Sequence, residues 1–109
     1  MSPVLRRAAA LASLLALAAC GGGEVSRTAC HQVRYCTEFE AEDLDVGDTN
    51  AMCGADGGTA MAECPAEGVV GVCTENSGGT KLVTHYYVAD RLDLDQAACE
   101  GIGGTWTSQ

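Results

Sequence analysis

Two segments in the second half of the chain are rich in the β-branched and aromatic residues that are typical of strands. They are residues 69–74 and 81–88, and the polar, glycine-containing residues 75–80 lie between them. Two such runs around a glycine-containing turn predict a β-hairpin. Residues 33–39 also alternate apolar and polar positions, which predicts a third strand. Its apolar face would carry Val33, Tyr35, Thr37 and Phe39.

A short motif occurs twice, 46 residues apart: a cysteine, three residues, then Gly-Gly-Thr, beginning at Cys53 and again at Cys99. Helix-capping residue types precede both copies, namely Asp48, Thr49 and Asn50 before the first and Asp93 and Asp95 before the second. Each copy therefore predicts a helix of one to two turns that carries the cysteine, then a glycine turn and a short strand, with Gly101 ending the second helix. Duplication and chance recurrence in a glycine-rich chain both explain the motif.

The final predicted strand starts at Trp106, after the second Gly-Gly-Thr. Its indole is expected to pack in an aromatic core with Tyr35, Tyr86 or Tyr87, and ligand stacking is the alternative role.

The N-terminus has the pattern of an export signal. Arg6 and Arg7 precede residues 8–19, which are Ala and Leu except for Ser13. Twelve helical residues span about 18 Å, well short of the roughly 30 Å hydrocarbon core, so a permanent membrane helix is disfavoured. Residues 1–19 are predicted to be a cleaved signal peptide.

Leu17-Ala18-Ala19-Cys20 at the end of this segment resembles the lipobox of bacterial lipoproteins. The resemblance implies that Cys20 receives a diacylglycerol, that cleavage occurs before it, and that palmitate-type acyl chains anchor the protein. Gly21, in place of an inner-membrane retention Asp, implies the outer membrane of a Gram-negative cell. The alternative is an ordinary secretory signal with a chance cysteine. As a whole the chain resembles small, cysteine-rich, uncharacterised lipoproteins of such bacteria, and this resemblance implies no activity.

Removal of residues 1–19 leaves two parts of unequal length. Residues 20–28 are predicted to be the lipidated cysteine and a glycine-rich flexible tether, and residues 29–109 a cysteine-rich domain. The 90 remaining residues hold 4 basic and 15 acidic side chains, a formal charge of −11. Such a charge disfavours nucleic acid as a partner, because phosphate contacts require a basic surface.

The 90 residues after the signal hold 20 large apolar side chains, too few for a deep hydrophobic core in the domain. An even set of six further cysteines in an exported chain predicts three stabilising disulfides instead. The set is Cys30, Cys36, Cys53, Cys64, Cys73 and Cys99. A zinc site is disfavoured, because no Cys-x-x-Cys pair occurs and the only histidines are His31 and His85.

Six cysteines allow fifteen pairings, and the sequence does not choose among them. If Cys30 and Cys36 lie in one extended segment, they stand about 20 Å apart and cannot bond to each other. Their partners would then come from the other four cysteines. A weak preference falls on Cys53 with Cys73, which would tie the first helix to the hairpin.

Catalytic chemistry finds little support. There is no Gly-x-Ser-x-Gly elbow, every cysteine after residue 19 is assigned to lipid or disulfide, and His31 and His85 have no evident partners. We predict no catalytic residue, no enzyme activity and no cofactor. Oxygen donors are concentrated around Gly47, which makes calcium binding a weak alternative to a solvated loop. The candidate ligands are Asp43, Asp45, Asp48 and Asn50.

Together these patterns predict an α+β fold: a small disulfide-rich domain with a short antiparallel sheet and two short helices, preceded by a signal helix. The expected function is that of a lipid-anchored envelope protein, facing the periplasm or the cell surface, which binds an envelope partner or plays a structural or accessory role. A small exported enzyme inhibitor and a calcium-binding envelope module are the alternatives.

Overall fold

The computed structural model of the protein describes residues 24–109, and the predicted signal peptide and Cys20 lie outside this part. The described chain is a small, disulfide-rich α+β domain, which confirms the predicted fold class. Its elements in chain order are β1 (Val25–His31), β2 (Tyr35–Glu42), α1 (Val46–Ala55), β3 (Thr59–Met61), β4 (Gly71–Ser77), β5 (Thr80–Tyr86), α2 (Leu92–Gly101) and β6 (Thr105–Ser108). All six strands form one antiparallel sheet in the order β3-β1-β2-β5-β4-β6.

The sheet consists of two similar halves, β1-β2-α1-β3 and β4-β5-α2-β6. In each half a hairpin is followed by a helix and by a strand that pairs with the outer side of the hairpin's first strand. The halves meet where β2 and β5 pair antiparallel, with Thr37 opposite Thr84. An approximate two-fold axis perpendicular to the sheet therefore passes between these threonines, and the repeat seen in the sequence is a repeat of structure.

Two of the three disulfides follow this symmetry. Cys30–Cys53 joins β1 to α1, and Cys73–Cys99 joins β4 to α2. The predicted preference for Cys53 with Cys73 is wrong, because each helix is bonded to the first strand of its own half.

The third disulfide, Cys36–Cys64, joins β2 to residues 62–70, which cross the opposite face of the sheet. Cys30 and Cys36 do not share one extended segment, since they lie in adjacent strands of the β1–β2 hairpin. They nevertheless bond to other cysteines, as expected, and three structural disulfides are confirmed.

The buried interior is made of sulfur and small side chains. Apart from Thr28 and Gly71, the buried residues among those described are alanines and disulfide cysteines: Ala29, Ala41, Cys30, Cys36, Cys53, Cys64, Cys73 and Cys99. The largest fully buried side chain is that of Cys36. Burial of apolar surface therefore contributes less than in most domains of this size, and the disulfides take its place.

Each Gly-Gly-Thr segment makes the turn from helix to strand in the same way. The first glycine has a left-handed backbone, with φ of 80° at Gly57 and 86° at Gly103. The second glycine lies against the disulfide of its half, so that a Cβ on Gly58 or Gly104 would stand 2.9 Å or less from a cysteine Sγ. The two glycines are thus required for different reasons, one for its φ angle and one for its lack of a side chain.

Several boundaries differ from the sequence prediction. β1 begins at Val25, so residues 25–28, assigned to the tether, pair with β2, and Thr28 is buried. Its hydroxyl donates a hydrogen bond of 2.6 Å to Asn50 Oδ1 in α1.

Val33, predicted to lie on the apolar face of a strand, lies in the turn after β1 and is 94% exposed. The predicted hairpin is confirmed, but its loop shrinks to Gly78 and Gly79, both with positive φ.

The helices are longer than expected, with ten residues each. α1 is capped by Asp45, three residues before the predicted caps began. α2 has Arg91 at its N-cap, without a side-chain cap hydrogen bond, while Asp93 and Asp95 lie in its first turn, where the helix dipole favours negative charge. The left-handed residue that follows α2 is Gly103 rather than Gly101.

Removal of either helix-to-sheet disulfide, as Cys30→Ala with Cys53→Ala or Cys73→Ala with Cys99→Ala, is expected to cost about 3.5 kcal/mol of unfolding free energy. The two disulfides close loops with sequence separations of 23 and 26 residues. For loops of this length, the entropy that the cross-link removes from the unfolded chain corresponds to about 3.5 kcal/mol. Urea unfolding of the two double variants measures it. A cost below about 1 kcal/mol in both would contradict the view that disulfides replace the core.

Gly58→Ala and Gly104→Ala are each expected to destabilise the domain by about 1–3 kcal/mol, since the new methyl group overlaps a buried disulfide. Gly54→Ala in α1 is the matched control, because a Cβ there meets nothing within 4 Å. Its expected effect is a gain of up to about 1 kcal/mol, from helix propensity. Thermal melts of the three variants test the contrast, which fails if all three behave alike.

Candidate functional site: the uncovered centre of the sheet

Both helices lie on the same face of the sheet, one over each of its two lateral edges. The helix-bonded cysteines Cys30 and Cys73 both point to this face, α1 packs on β1 and β3, and α2 packs on β4 and β6. Within residues 24–109 neither helix packs on β2 or β5. The middle of the sheet is consequently left open between the helices. We call it the central face, formed by Tyr35, Thr37 and Phe39 of β2 and Leu82, Thr84 and Tyr86 of β5.

The central face is largely apolar. Phe39 lies opposite Leu82 at one end and Tyr35 opposite Tyr86 at the other. The two tyrosine rings are 6.1 Å apart, and the Tyr86 ring is 5.4 Å from that of Trp106, in tilted contacts that aromatic pairs favour. The predicted packing of Trp106 with Tyr86 is therefore confirmed, although these rings form part of an open surface and not of a closed core.

A hydrogen bond marks the middle of the central face. Thr37 Oγ1 and Thr84 Oγ1 are 3.1 Å apart, on the approximate two-fold axis. Each threonine hydroxyl thus has a hydrogen-bond partner within the protein, although neither helix lies above the pair. The two hydroxyl groups therefore depend less on hydrogen bonds to water.

Two cavities flank the central face and share Tyr35. The larger, about 360 Å³, lies between the sheet and α1, where Phe39, Met52 and Asp56 contribute to its walls. The smaller, about 160 Å³, lies between Tyr35, Tyr86 and the start of α2, where Asp95 lines it. The larger one has the size of a small ligand site and is bounded mainly by apolar atoms.

Negative charge surrounds this apolar surface. Partial burial raises the pKa of the Tyr86 phenol above its usual value, and the nearby Asp95, Tyr35 and Glu75 raise it further. Neither helix has a basic residue in its last turn, so the negative end of each helix dipole is not compensated there.

Positive charge at this site is confined to one corner. Arg34 and Arg91 both line the smaller cavity. Arg34 forms an exposed ion pair with Asp90 and lowers the pKa of that carboxyl group. Because the pair is exposed, it contributes little to stability.

The opposite face holds the one cluster of three ligand-type side chains found among the described residues, Glu38, Cys64 and His85. Cys64 is bonded to Cys36 and offers no thiolate. Glu38 accepts a 2.8 Å hydrogen bond from the Cys64 backbone N–H, and His85 Nε2 lies 3.4 Å from the other Glu38 oxygen. Glu38 thereby holds the crossing segment, residues 62–70, against the sheet.

Two aromatic contacts secure the same segment. Tyr87 donates a 2.7 Å hydrogen bond to the Pro65 carbonyl, and its ring lies 5.7 Å from that of His31. Burial, followed by the charge of Glu38, raises the pKa of the Tyr87 phenol. Both histidines considered from the sequence thus have structural neighbours that account for them.

The acidic residues weighed as calcium ligands are spread over a loop and a helix. Asp45 accepts a 2.8 Å hydrogen bond from the Asp48 backbone N–H as the cap of α1, and Asn50 binds Thr28. Asp43 has a left-handed backbone, with φ of 58°. No three acidic groups of this segment lie within ligand distance of one another in the described structure.

Comparison with known proteins gives no family model, no curated protein and no solved structure that matches this chain. Among the helices of the described residues, none combines the length and the apolar character needed to span a bilayer.

Asp45→Ala is expected to cost about 1 kcal/mol of stability, because it removes the acceptor for the Asp48 N–H, whereas Asp45→Asn should retain most of that energy. Thermal melts with and without millimolar calcium give the measurement. A rise in melting temperature with calcium, lost in Asp45→Asn, would instead support the calcium loop.

Proposed function

We propose that the protein is a lipid-anchored binding module of the cell envelope, which holds a partner protein on its central face. The observation that carries this proposal is the open aromatic surface between the two helices. The anchor at Cys20 rests on the lipobox resemblance, and an outer-membrane location, facing the periplasm or the surface, rests on Gly21.

The placement of the apolar residues argues for binding. The domain has a single Phe, a single Trp and three Tyr, and Tyr35, Phe39, Tyr86 and Trp106 all lie on the open side of the sheet or beside it. Tyr35 is 40% exposed, and the Met52 side chain above the larger cavity is 66% exposed. Contiguous exposed apolar surface with aromatic content is typical of interaction sites, since it costs solubility when it has no partner.

Binding is preferred to catalysis because the chemically active groups near one another serve the fold. Glu38 secures the Cys64 backbone, Asp45 caps α1 and the six described cysteines are oxidised in pairs. The central face itself presents aromatic rings and two threonine hydroxyls that are hydrogen-bonded to each other. A surface of this kind recognises a partner by shape and apolar contact.

An exported inhibitor is a second candidate, and the β4–β5 hairpin favours it. Residues 75–80 are held in a strand ladder up to Ser77 and Thr80, so only Gly78 and Gly79 form the tip. A rigid tip loses little entropy when it enters a cleft. Inhibition of a secreted or periplasmic hydrolase, abolished by insertion of two serines after Gly79, would select this function over the first.

Crosslinking in intact cells, followed by affinity recovery and mass spectrometry, tests the binding function. The native protein is expected to recover a partner in stoichiometric amount, and Cys20→Ala to lose it by release from the membrane. Met52→Ser and Phe39→Ser are expected to reduce recovery at least tenfold, since Phe39 is an apolar contact on the central face and Met52 is one on the α1 surface beside it.

Val33→Ser is the matched control, because Val33 is exposed in a turn outside that face. Melting temperatures of all variants check that they fold, and Met52, on the helix surface, tests the site with little effect on the fold. Equal recovery from the Met52, Phe39 and Val33 variants would show that the partner binds elsewhere.

A further inference from the structure

We infer that the segment which covers the central face is a single amphipathic α-helix of the partner, with basic residues at both ends of its apolar stripe. This inference rests on the proposed binding function and adds the shape and charge of the ligand. It follows from the width of the gap between α1 and α2, from the side chains that line it, and from the charges at its ends.

The strand order sets the width of the gap. α1 packs over β3 and β1, and α2 over β4 and β6, with β2 and β5 between them. With each helix axis taken midway between the two strands on which the helix packs, the axes are about four strand spacings apart, and four spacings of roughly 4.8 Å amount to about 19 Å. Packed helices lie about 8–10 Å from one another, so one additional helix fits between α1 and α2 in contact with both. Two helices side by side are too wide for this gap, and a single extended strand would leave empty space between itself and both α1 and α2.

The length of the gap suits a helix of about three turns. The walls are ten residues each, about 15 Å of helix, and the floor from the Tyr35–Tyr86 pair to the Phe39–Leu82 pair is about 13 Å long. An apolar stripe at i, i+3 or i+4, and i+7 would contact the tyrosine pair, the threonine pair and the Phe39–Leu82 pair in succession.

Both walls present an exposed large apolar side chain to this helix, although the two side chains are not equivalent in the repeat. Thr49, Met52 and Asp56 of the first half line the larger cavity. The 46-residue repeat relates Asp56 to Ile102, and thereby places Ile102 along the wall formed by α2. Met52 and Ile102 are both 66% exposed, among the most exposed large apolar side chains described. A helix in the gap would cover both.

The charges at the ends of the gap point to a basic ligand. At the Tyr35 end, Asp56 lies at the uncompensated C-terminus of α1. At the Leu82 end, Glu75 is paired with Leu82 across the strands. There Glu100 lies in the last turns of α2, whose C-terminus likewise lacks a basic residue. Asp95 adds a further carboxylate beside Tyr86, in the cavity that Arg34 and Arg91 also line. Arg34 is paired with Asp90, so the carboxylates of Asp56, Asp90 and Asp95 outnumber the two guanidinium groups at the Tyr35 end.

A second copy of this chain is a poor occupant by the same argument. The described residues hold 15 acidic and 4 basic side chains, and Arg27 and Arg34 are already paired with acids. Two copies would bring like charges together, whereas Lys and Arg at both ends of a partner helix would meet opposite charge.

Site-specific photocrosslinking in intact cells tests the inference. A benzophenone side chain is placed at Met52 or Ile102 on the two walls, and at Val33 or Ala66 as controls, and mass spectrometry identifies the captured peptide. Both wall positions are expected to capture the same partner segment, at least tenfold more than the controls. That segment should show helical apolar spacing and carry Lys or Arg at both ends.

The outcomes separate the two proposals. Capture at the walls of an extended or acidic segment, of a second copy, or of residues 1–19 of a precursor would overturn the helix inference and leave a binding site on the central face. Capture of a partner only at Val33 or Ala66, or at no position, would overturn the proposed function as well.

A synthetic peptide of the captured segment tests the role of charge on the purified Cys20→Ala protein. The combined variant Asp56→Asn, Glu75→Gln and Asp95→Asn is expected to weaken its binding at least tenfold at low salt and to reduce its salt dependence. Glu63→Gln with Glu67→Gln, on the crossing segment of the opposite face, is the control and should bind as the native protein does. Equal Kd values for the two sets would refute the charge argument.

Discussion

The disulfides are the constraint on which the rest of this structure depends. A sheet normally holds a helix by burying a stripe of large side chains beneath it, and that burial fixes where the helix can lie. Here a cysteine of β1 or β4 bonds a cysteine of the helix, and the glycine that follows allows the close approach. Because a covalent bond replaces the apolar contact, each helix can remain at the edge of the sheet although the buried side chains of the domain are all small.

This arrangement leaves the aromatic residues free for another use. The buried interior consists mainly of alanine and cysteine side chains, while Tyr35, Phe39 and Tyr86 remain on a surface that the fold does not need to bury. The approximate two-fold symmetry extends to this surface, since Phe39 in one half corresponds to Tyr86 in the other. The two halves differ on the opposite face of the sheet. There Cys36 and Glu38 of the first half hold residues 62–70 against the sheet, and the second half holds no such segment in the described structure.

The features that the sequence predicted are those that local chemistry determines. Six cysteines behind a predicted export signal implied disulfides, and the paired Gly-Gly-Thr segments implied two helix-to-strand turns. β1 could not be predicted, because Val25, Ser26, Arg27 and Thr28 gain their strand structure from pairing with β2, the next strand of the chain, and not from an apolar pattern of their own. The disulfide partners depend on contacts that are longer in sequence, since they join strands to a helix or a loop 23 to 28 residues away. The central face could not be predicted from the sequence, because its residues alternate as those of any half-buried strand do. Only the positions of the helices in the structure show that these residues are uncovered.

The point at which the chain enters β1 also determines how the domain would be held at a membrane. Val25 lies beside Glu42 and the Gly78–Gly79 turn, at the Phe39–Leu82 end of the sheet. With the lipid at Cys20, five residue steps span at most about 18 Å. The domain would then stand close to the lipid headgroups with this turn toward them and with its strands directed outward. Acidic groups at that end, including Glu42 and Asp43, would be repelled by an anionic surface, which would keep the turn clear of the headgroups within the reach of the tether. Entry to the gap would then be open on the side that faces away from the bilayer.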